Sequence, residues 1–216
     1  MSQTYEPHRL VIQYLSVLES APAIVEEVEK KLFAAMNEKI MDWVKKRQDQ
    51  VWEGIYSFYD DKGETSFKPI SWVNNENEED WIAWYTLTTI PDEDSFQHWL
   101  SPLLGVTSTE FGFMFGVRED YVTNLTEKRA RPAAAWKSYL AAQFNNFPTI
   151  EANGFRIVGG NLFLPFKLYA QDIADAYPDS LGDALMPIDE ALNKLGTAHP
   201  EIDALLKKAR DYSFAK

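Results

Sequence analysis

The chain has 216 residues, no cysteine and a formal net charge of −12 at pH 7. The absence of cysteine excludes disulfides, thiolate catalysis and cysteine-ligated metal sites. Hydrophobic residues make up 45% of the chain and charged residues 25%, which is typical of a globular domain and excludes collagen-like and disordered classes. No apolar run approaches the ~18–20 residues of a membrane span, and Met1–Arg9 has no signal-peptide pattern. We therefore expect a cytoplasmic protein.

The first fifty residues have helical periodicity. Leu10, Tyr14 and Leu18 share one face of a first helix over 8–19. Ser20, as an N-cap, and Pro22, in a first turn, predict that a second helix begins there. Apolar residues then recur every fourth position from Ile24 to Val44, which predicts an amphipathic helix of about seven turns.

After Gln50 the period changes to two, which is typical of strands. Strands are predicted over 51–59, 67–73, 81–90 and 109–117, with Pro69 favouring an edge position for the second. Residues 74–79 form a predicted polar loop and 92–104 a predicted helix. In the strand over 109–117, Gly112 and Gly116 leave one face nearly bare, which permits close approach by a helix or a ligand.

The last third of the chain predicts a helix from Pro132 to Gln143, then a hairpin that turns at Gly159-Gly160, then two or three short helices. His199, next to Pro200, is expected to cap the last of them. The element order predicts an α+β fold with long N-terminal amphipathic helices, a largely antiparallel sheet of about five or six strands and short C-terminal helices. We expect a helical segment over 1–50 packed on an α+β domain over 51–216, forming one globular unit.

The negative charge is concentrated in residues 51–100, which hold two lysines and eleven acids, a balance of −9. The acids form three clusters between predicted elements, and two tryptophans next to the second cluster are the best candidates for exposed aromatic anchors. These twelve candidate partner-binding residues are Asp60, Asp61, Glu64, Trp72, Glu76, Glu78, Glu79, Asp80, Trp81, Asp92, Glu93 and Asp94. If the loops share one end of the sheet, they form a strongly negative surface that attracts a basic protein and repels nucleic acid and anionic membranes.

Signals of catalysis are weak. The three histidines His8, His98 and His199 have no metal-ligand spacing, and the phosphate-binding glycine motifs and the nucleophile elbow are absent. We expect no metal, no cofactor and no catalytic residues. A short basic patch, formed by Lys128, Arg129, Arg131 and Lys137, is too small to indicate nucleic-acid binding in so acidic a chain.

The sequence therefore favours a non-enzymatic acidic binding protein of the inhibitor, immunity or counter-defence type. It would block a basic protein partner, such as a nuclease, a toxin or a nucleic-acid-handling complex, by electrostatic mimicry. Two alternatives stay open. A Mg²⁺-dependent or acid/base hydrolase would use Asp172, Asp175 and Asp179. A structural subunit would form a homo-oligomer through the long N-terminal helix.

Overall fold

The computed structural model describes residues 6–48, 50–59, 63–74, 77–90, 98–118 and 131–211. It confirms the α+β fold, with a long N-terminal helix, an antiparallel sheet and C-terminal helices. The helices are α1 Glu6–Gln13, α2 Leu15–Lys46, α3 Leu100–Leu103, α4 Pro132–Gln143, α5 Pro148–Ala152, α6 Ala170–Ala176, α7 Leu181–Ala184 and α8 Met186–Asp211. The strands are β1 Trp52–Tyr56, β2 Thr65–Pro69, β3 Val73–Asn74, β4 Asn77–Trp81, β5 Ala83–Ile90, β6 Glu110–Val117, β7 Arg156–Val158 and β8 Asn161–Phe166.

Six of these strands form one sheet in the order β1-β2-β5-β6-β8-β7, and every neighbouring pair is antiparallel. The predicted edge position for Pro69 is wrong, because β2 lies between β1 and β5. Pro69 is the last residue of that strand, where a missing N–H interrupts no further ladder bond. The remaining strands, β3 and β4, pair as a separate hairpin. The predicted polar loop over 74–79 is therefore partly a strand.

The core lies between the inner face of the sheet and helices α2 and α8. Strand β5 alternates between buried and half-buried residues, as expected for a sheet covered on one face. Tyr85 and Leu87 face inward beside Phe115 and Phe113 of β6. Helix α2 contributes a buried stripe to this core from Leu32 to Val44.

The N-terminal helices depart from the expected break at Ser20. Helix α2 runs continuously through Pro22, and the Ser20 hydroxyl donates to the backbone oxygens of Ser16 and Val17 instead of capping a helix start. The irregularity lies at Tyr14, between α1 and α2. Residues 8–27, called the arm below, are exposed or half-buried throughout, whereas one face of α2 is buried from Glu29 onward. Water can solvate the carbonyl that Pro22 leaves unpaired, which explains why the arm tolerates this proline.

The predicted helix over 92–104 is observed only as the single turn of α3, and residues 91–97 lie outside the described part of the chain. The predicted break before the last helix is also wrong. Helix α8 is continuous through Pro200, and His199 is a buried residue of its interior, not a cap.

The nearly bare face of β6 is filled by side chains of neighbouring strands. The Trp84 ring lies against Gly116, within 2.9 Å of where a β-carbon would be, and the tip of Phe163 lies 2.8 Å from the same point at Gly112. A β-carbon at Gly112 would also meet the carbonyl oxygen of Leu164 and would lie 2.9 Å from Cα of Pro165. Both glycines therefore serve close packing within the sheet.

We expect Gly112→Ala to destabilise the fold by about 1–3 kcal/mol or more, because the added methyl group collides with the backbone of β8. Gly182→Ala is the matched control, since a β-carbon there meets no atom within 4 Å. Urea unfolding followed by tryptophan fluorescence measures both. Equal unfolding free energies for the two variants would contradict the close packing of β6 on β8.

Candidate partner-binding site

Two of the three acidic clusters flank elements that meet at one end of the six-stranded sheet. Tyr56 pairs with Thr65 where β1 joins β2, and Ser66 pairs with Thr86 of β5. Because β5 runs antiparallel to β2, its last residue, Ile90, lies beyond Thr65 at the same end. The chain segments that carry Asp60, Asp61 and Glu64, and Asp92, Glu93 and Asp94, are attached there. We call this the acidic end.

An aromatic contact joins these two segments. Phe58 precedes the first cluster and Trp99 follows the third, and their ring centroids are 5.0 Å apart. Phe33 of α2 contacts both rings, and its ring centroid lies 4.8 Å from that of Phe58 and 6.4 Å from that of Trp99. Glu64 is exposed at this end and accepts a hydrogen bond of 2.6 Å from the Ser66 hydroxyl. Asp60, Asp61, Asp92, Glu93 and Asp94 lie outside the described residues.

Glutamates of α2 add to the negative charge of the acidic end. Burial and the neighbouring Glu29 and Glu26 raise the pKa of Tyr59 to about 12. Glu29 is itself buried and accepts a 2.9 Å hydrogen bond from the backbone N–H of Leu100. This bond ties α3, and with it the chain that follows the third cluster, to α2. Sequence periodicity does not indicate this hydrogen bond, because Glu29 is not part of the four-residue apolar repeat of the helix.

The second acidic cluster belongs to the opposite end of the sheet. The hairpin of β3 and β4 connects the end of β2 to the start of β5. At the end of β2 the backbone N–H of Trp72 donates a hydrogen bond to the backbone oxygen of Pro69. Glu78, Glu79 and Asp80 lie in β4, and Glu76 lies outside the described residues. The described residues that flank two of the clusters therefore meet at one end of the sheet, and the strand that carries most of the second cluster lies at the other end.

Trp72 is not exposed, so its expected role as a surface anchor is wrong. Its side chain is 2% exposed, and its indole N–H donates a 2.9 Å hydrogen bond to Asp203 of α8. The short loop before β3 turns the ring inward onto Tyr85 and Phe115. Trp81 is half-buried, and the ammonium group of Lys68 lies 5.0 Å from its ring centroid.

Lys68 is a buried charge that sequence reasoning missed. Its side chain has no exposed surface and pairs with Glu53 on the neighbouring strand at 2.5 Å. Removal of Glu53 would leave this ammonium buried without its carboxylate, which is strongly destabilising. Through its contact with Trp81, the last residue of β4, Lys68 links the β3–β4 hairpin to strand β2.

A second unpredicted cluster surrounds His199 in the core. His199 Nδ1 lies 2.9 Å from the Tyr85 hydroxyl, and Nε2 lies 2.6 Å from the amide nitrogen of Gln50. The rings of Trp52 and Trp72 pack on the imidazole, at centroid distances of 4.6 and 5.1 Å. Burial raises the pKa of Tyr85 well above its usual value, and the nearby Asp203 adds to the shift. The cluster is enclosed and therefore stabilises the core.

The candidate hydrolase carboxylates lie at the surface. Asp172 and Asp175 on α6, and Asp179 beyond it, are all exposed, and Asp175 accepts a hydrogen bond from Gln171. They line neither of the two cavities below. Within the described ranges, no group of three or more histidine and acidic side chains is placed to hold a metal ion. Of the basic patch, Arg131 and Lys137 are exposed, while Lys128 and Arg129 lie outside these ranges.

Two open cavities lie among the described residues. One, of about 250 Å³, lies at the acidic end and is lined by Pro102, Gly105, Thr107, Thr109, Glu110, Phe111, Pro165, Phe166 and Lys167. Its Glu110 is already paired with Arg156. The other, of about 480 Å³, lies between α2 and α7–α8, where Lys39 and Asp189 form an ion pair of 2.6 Å.

Comparisons with protein-family models, with curated proteins and with solved structures find no match for this chain. In the part of the chain that the structure describes, no helix is long and apolar enough to cross a membrane.

The buried Tyr85 predicts a loss of stability at alkaline pH. Its pKa is raised in the folded state, so above pH 10 the unfolded chain releases a proton that the folded chain retains, and unfolding becomes easier as the pH rises. Each such group contributes up to about 1.4 kcal/mol per pH unit. Tyr85→Phe should reduce the slope of unfolding free energy against pH by about this amount.

Urea unfolding between about pH 9 and 11 measures that slope. Tyr85→Phe should also cost about 1–2 kcal/mol at neutral pH, because His199 loses its hydroxyl partner. The exposed Tyr169→Phe is the matched control and should leave both quantities unchanged. An unaltered slope in Tyr85→Phe would contradict the enclosed position of this hydroxyl.

Proposed function

We propose that this chain is a non-enzymatic, cytoplasmic binding protein of the inhibitor, immunity or counter-defence type. Its acidic end would occupy a basic groove on a protein partner such as a nuclease, a toxin or a nucleic-acid-handling complex. The observation that carries the proposal is the contact between Phe58 and Trp99, described residues that flank two of the acidic clusters. Ranges 57–64 and 91–97 hold six acids and one lysine, a balance of −5.

Charge at this density acts mainly on encounter and specificity. A negative surface facing a positive one speeds association and selects against phosphate-bearing competitors, whereas rim charges add little to affinity on their own. The half-buried rings at this end, such as Trp99, support the proposal because aromatic groups ringed by charge are typical of tight interfaces. Trp72 has no part in the proposal, and the β3–β4 cluster forms a separate negative feature at the opposite end.

The test separates the acidic end from net charge. One variant neutralises this end with the isosteric changes D60N, D61N, E64Q, D92N, E93Q and D94N. The matched control neutralises six acids elsewhere with E151Q, D172N, D175N, D179N, D183N and E190Q, all at exposed positions. Both variants lose six negative charges, so any difference between them reports position. Each protein is immobilised and exposed to lysate of the native host at low and at high salt.

We expect the wild type and the control to retain the same basic protein at low salt and to lose it at high salt. The acidic-end variant should lose it, with a dissociation constant at least about tenfold higher for the purified pair. Equal retention by both variants, or equal loss from both, would contradict the proposal. Mass spectrometry identifies the partner, and surface plasmon resonance measures the constants.

A further inference from the structure

The arm concentrates the exposed apolar surface of the chain. Thirteen large hydrophobic side chains are exposed among the described residues, and eight of them lie in the arm: Leu10, Val11, Ile12, Tyr14, Leu15, Val17, Leu18 and Ile24. Their exposed fractions run from 46% to 77%. Single exposed hydrophobic residues are ordinary, but a contiguous group of this size marks an interaction surface.

Backbone hydrogen bonds keep the arm helical through its irregular residue. Tyr14 N–H donates to the Leu10 oxygen and Leu18 N–H to the Tyr14 oxygen, both at 2.9 Å. Leu10, Tyr14 and Leu18 therefore follow one another at four-residue intervals along one face, with Val11 and Val17 beside them. Rows at this spacing pack into the grooves of another helix.

The order of residues along this face is symmetric about Tyr14. Leu10 and Leu18 stand four positions on either side of it, and Val11 and Val17 stand three. We propose that the arm binds the arm of a second copy of this chain, antiparallel, with a two-fold axis at Tyr14. Leu10 of each chain then lies against Leu18 of the other and Val11 against Val17, which are the reciprocal contacts that a two-fold axis gives.

Charge favours the antiparallel arrangement. A parallel pair would set the two bodies, each with a chain charge of −12, side by side. In the antiparallel pair the bodies leave the shared helices in opposite directions.

The composition of the arm disfavours a membrane surface as its occupant. Residues 8–27 contain one arginine and no lysine, against Glu19, Glu26 and Glu27. Helices that lie on anionic lipid carry lysine and arginine along their polar face, and a net negative arm is repelled. A second copy offers the matching apolar row.

The exposed area sets the expected strength. The six residues nearest the axis, each about half exposed, carry on the order of 500 Å² per chain, so the pair would bury roughly 1,000 Å², which is at the low end for specific interfaces. We therefore expect a reversible dimer with a dissociation constant in the micromolar range.

Sedimentation equilibrium of the full chain at tens of micromolar tests the arrangement. L10D and L18D should each raise the dissociation constant at least about tenfold, because each buries a charge in the apolar row. I12D, on the other side of the helix, is the matched control and should leave the constant unchanged. In an antiparallel pair position 10 of one chain faces position 18 of the other, so a mixture of Leu10→Cys and Leu18→Cys chains should form mainly the mixed disulfide, whereas a parallel pair would form the two symmetric ones. Circular dichroism confirms that each variant is folded, and the arm contributes nothing to the buried core.

Single cysteines give a second readout, because the natural chain has none. Tyr14→Cys lies on the two-fold axis and should form an intermolecular disulfide under mild oxidation. Ile12→Cys, at the most exposed apolar position of the arm and on its other side, should not. A chain that stays monomeric, cross-links equally at both positions, or pellets with neutral lipid vesicles without dimerising would overturn the inference. The acidic-end variant should still dimerise, so failure of the proposed function leaves this result unaffected.

Discussion

The packing of Phe33 against the sheet is the constraint on which the rest of the arrangement depends. This α2 side chain has no exposed surface and contacts the rings of Phe58, Trp99 and Phe111 at centroid distances of 4.8–6.4 Å. Phe58 and Trp99 border the two acidic segments, so one buried ring sets where the helix, the β1–β2 turn and the chain after β5 meet. Aromatic pairs of this kind contribute about 0.5–1.5 kcal/mol each beyond the area that they bury. Removing the ring would therefore loosen the acidic end as well as the core.

The same contact determines where the arm leaves the body. The buried face of α2 begins at Glu29, so the arm projects from the acidic end. If two arms cross at Tyr14, about 14 helical residues separate the axis from each body, which places the acidic ends roughly 40 Å apart. That distance exceeds the Debye length of ~8 Å at physiological salt several times over, so repulsion between the bodies does not oppose pairing. A dimer would present two acidic ends to its partner, which raises avidity where the partner is also multivalent.

The sequence predicted the features that depend on local periodicity and failed on those that depend on tertiary packing. The four-residue repeat from Ile24 to Val44 predicted an amphipathic helix, and the helix was confirmed. The strand over 81–90 was predicted as well, but its alternation of buried and half-buried residues depends on which face the core covers. The break expected at Pro22 did not occur, because a proline costs little where water can solvate the freed carbonyl. The burial of Trp72 depends on an acceptor, Asp203, that lies 131 residues away, and no local pattern indicates such a pairing. Likewise, only the strand order reveals that two acidic clusters flank one end while the third belongs to the other.

The distance between the acidic segments tests this account most directly. Spin labels at Asp61→Cys and Glu93→Cys, diluted with unlabelled protein so that only distances within one chain contribute, can be compared by double electron–electron resonance with labels at Asp61→Cys and Glu78→Cys. A shared acidic end predicts that the distance between positions 61 and 93 is shorter than that between 61 and 78 by roughly the length of a strand, ~20 Å. Equal distances, or a longer separation between positions 61 and 93, would contradict a shared acidic end.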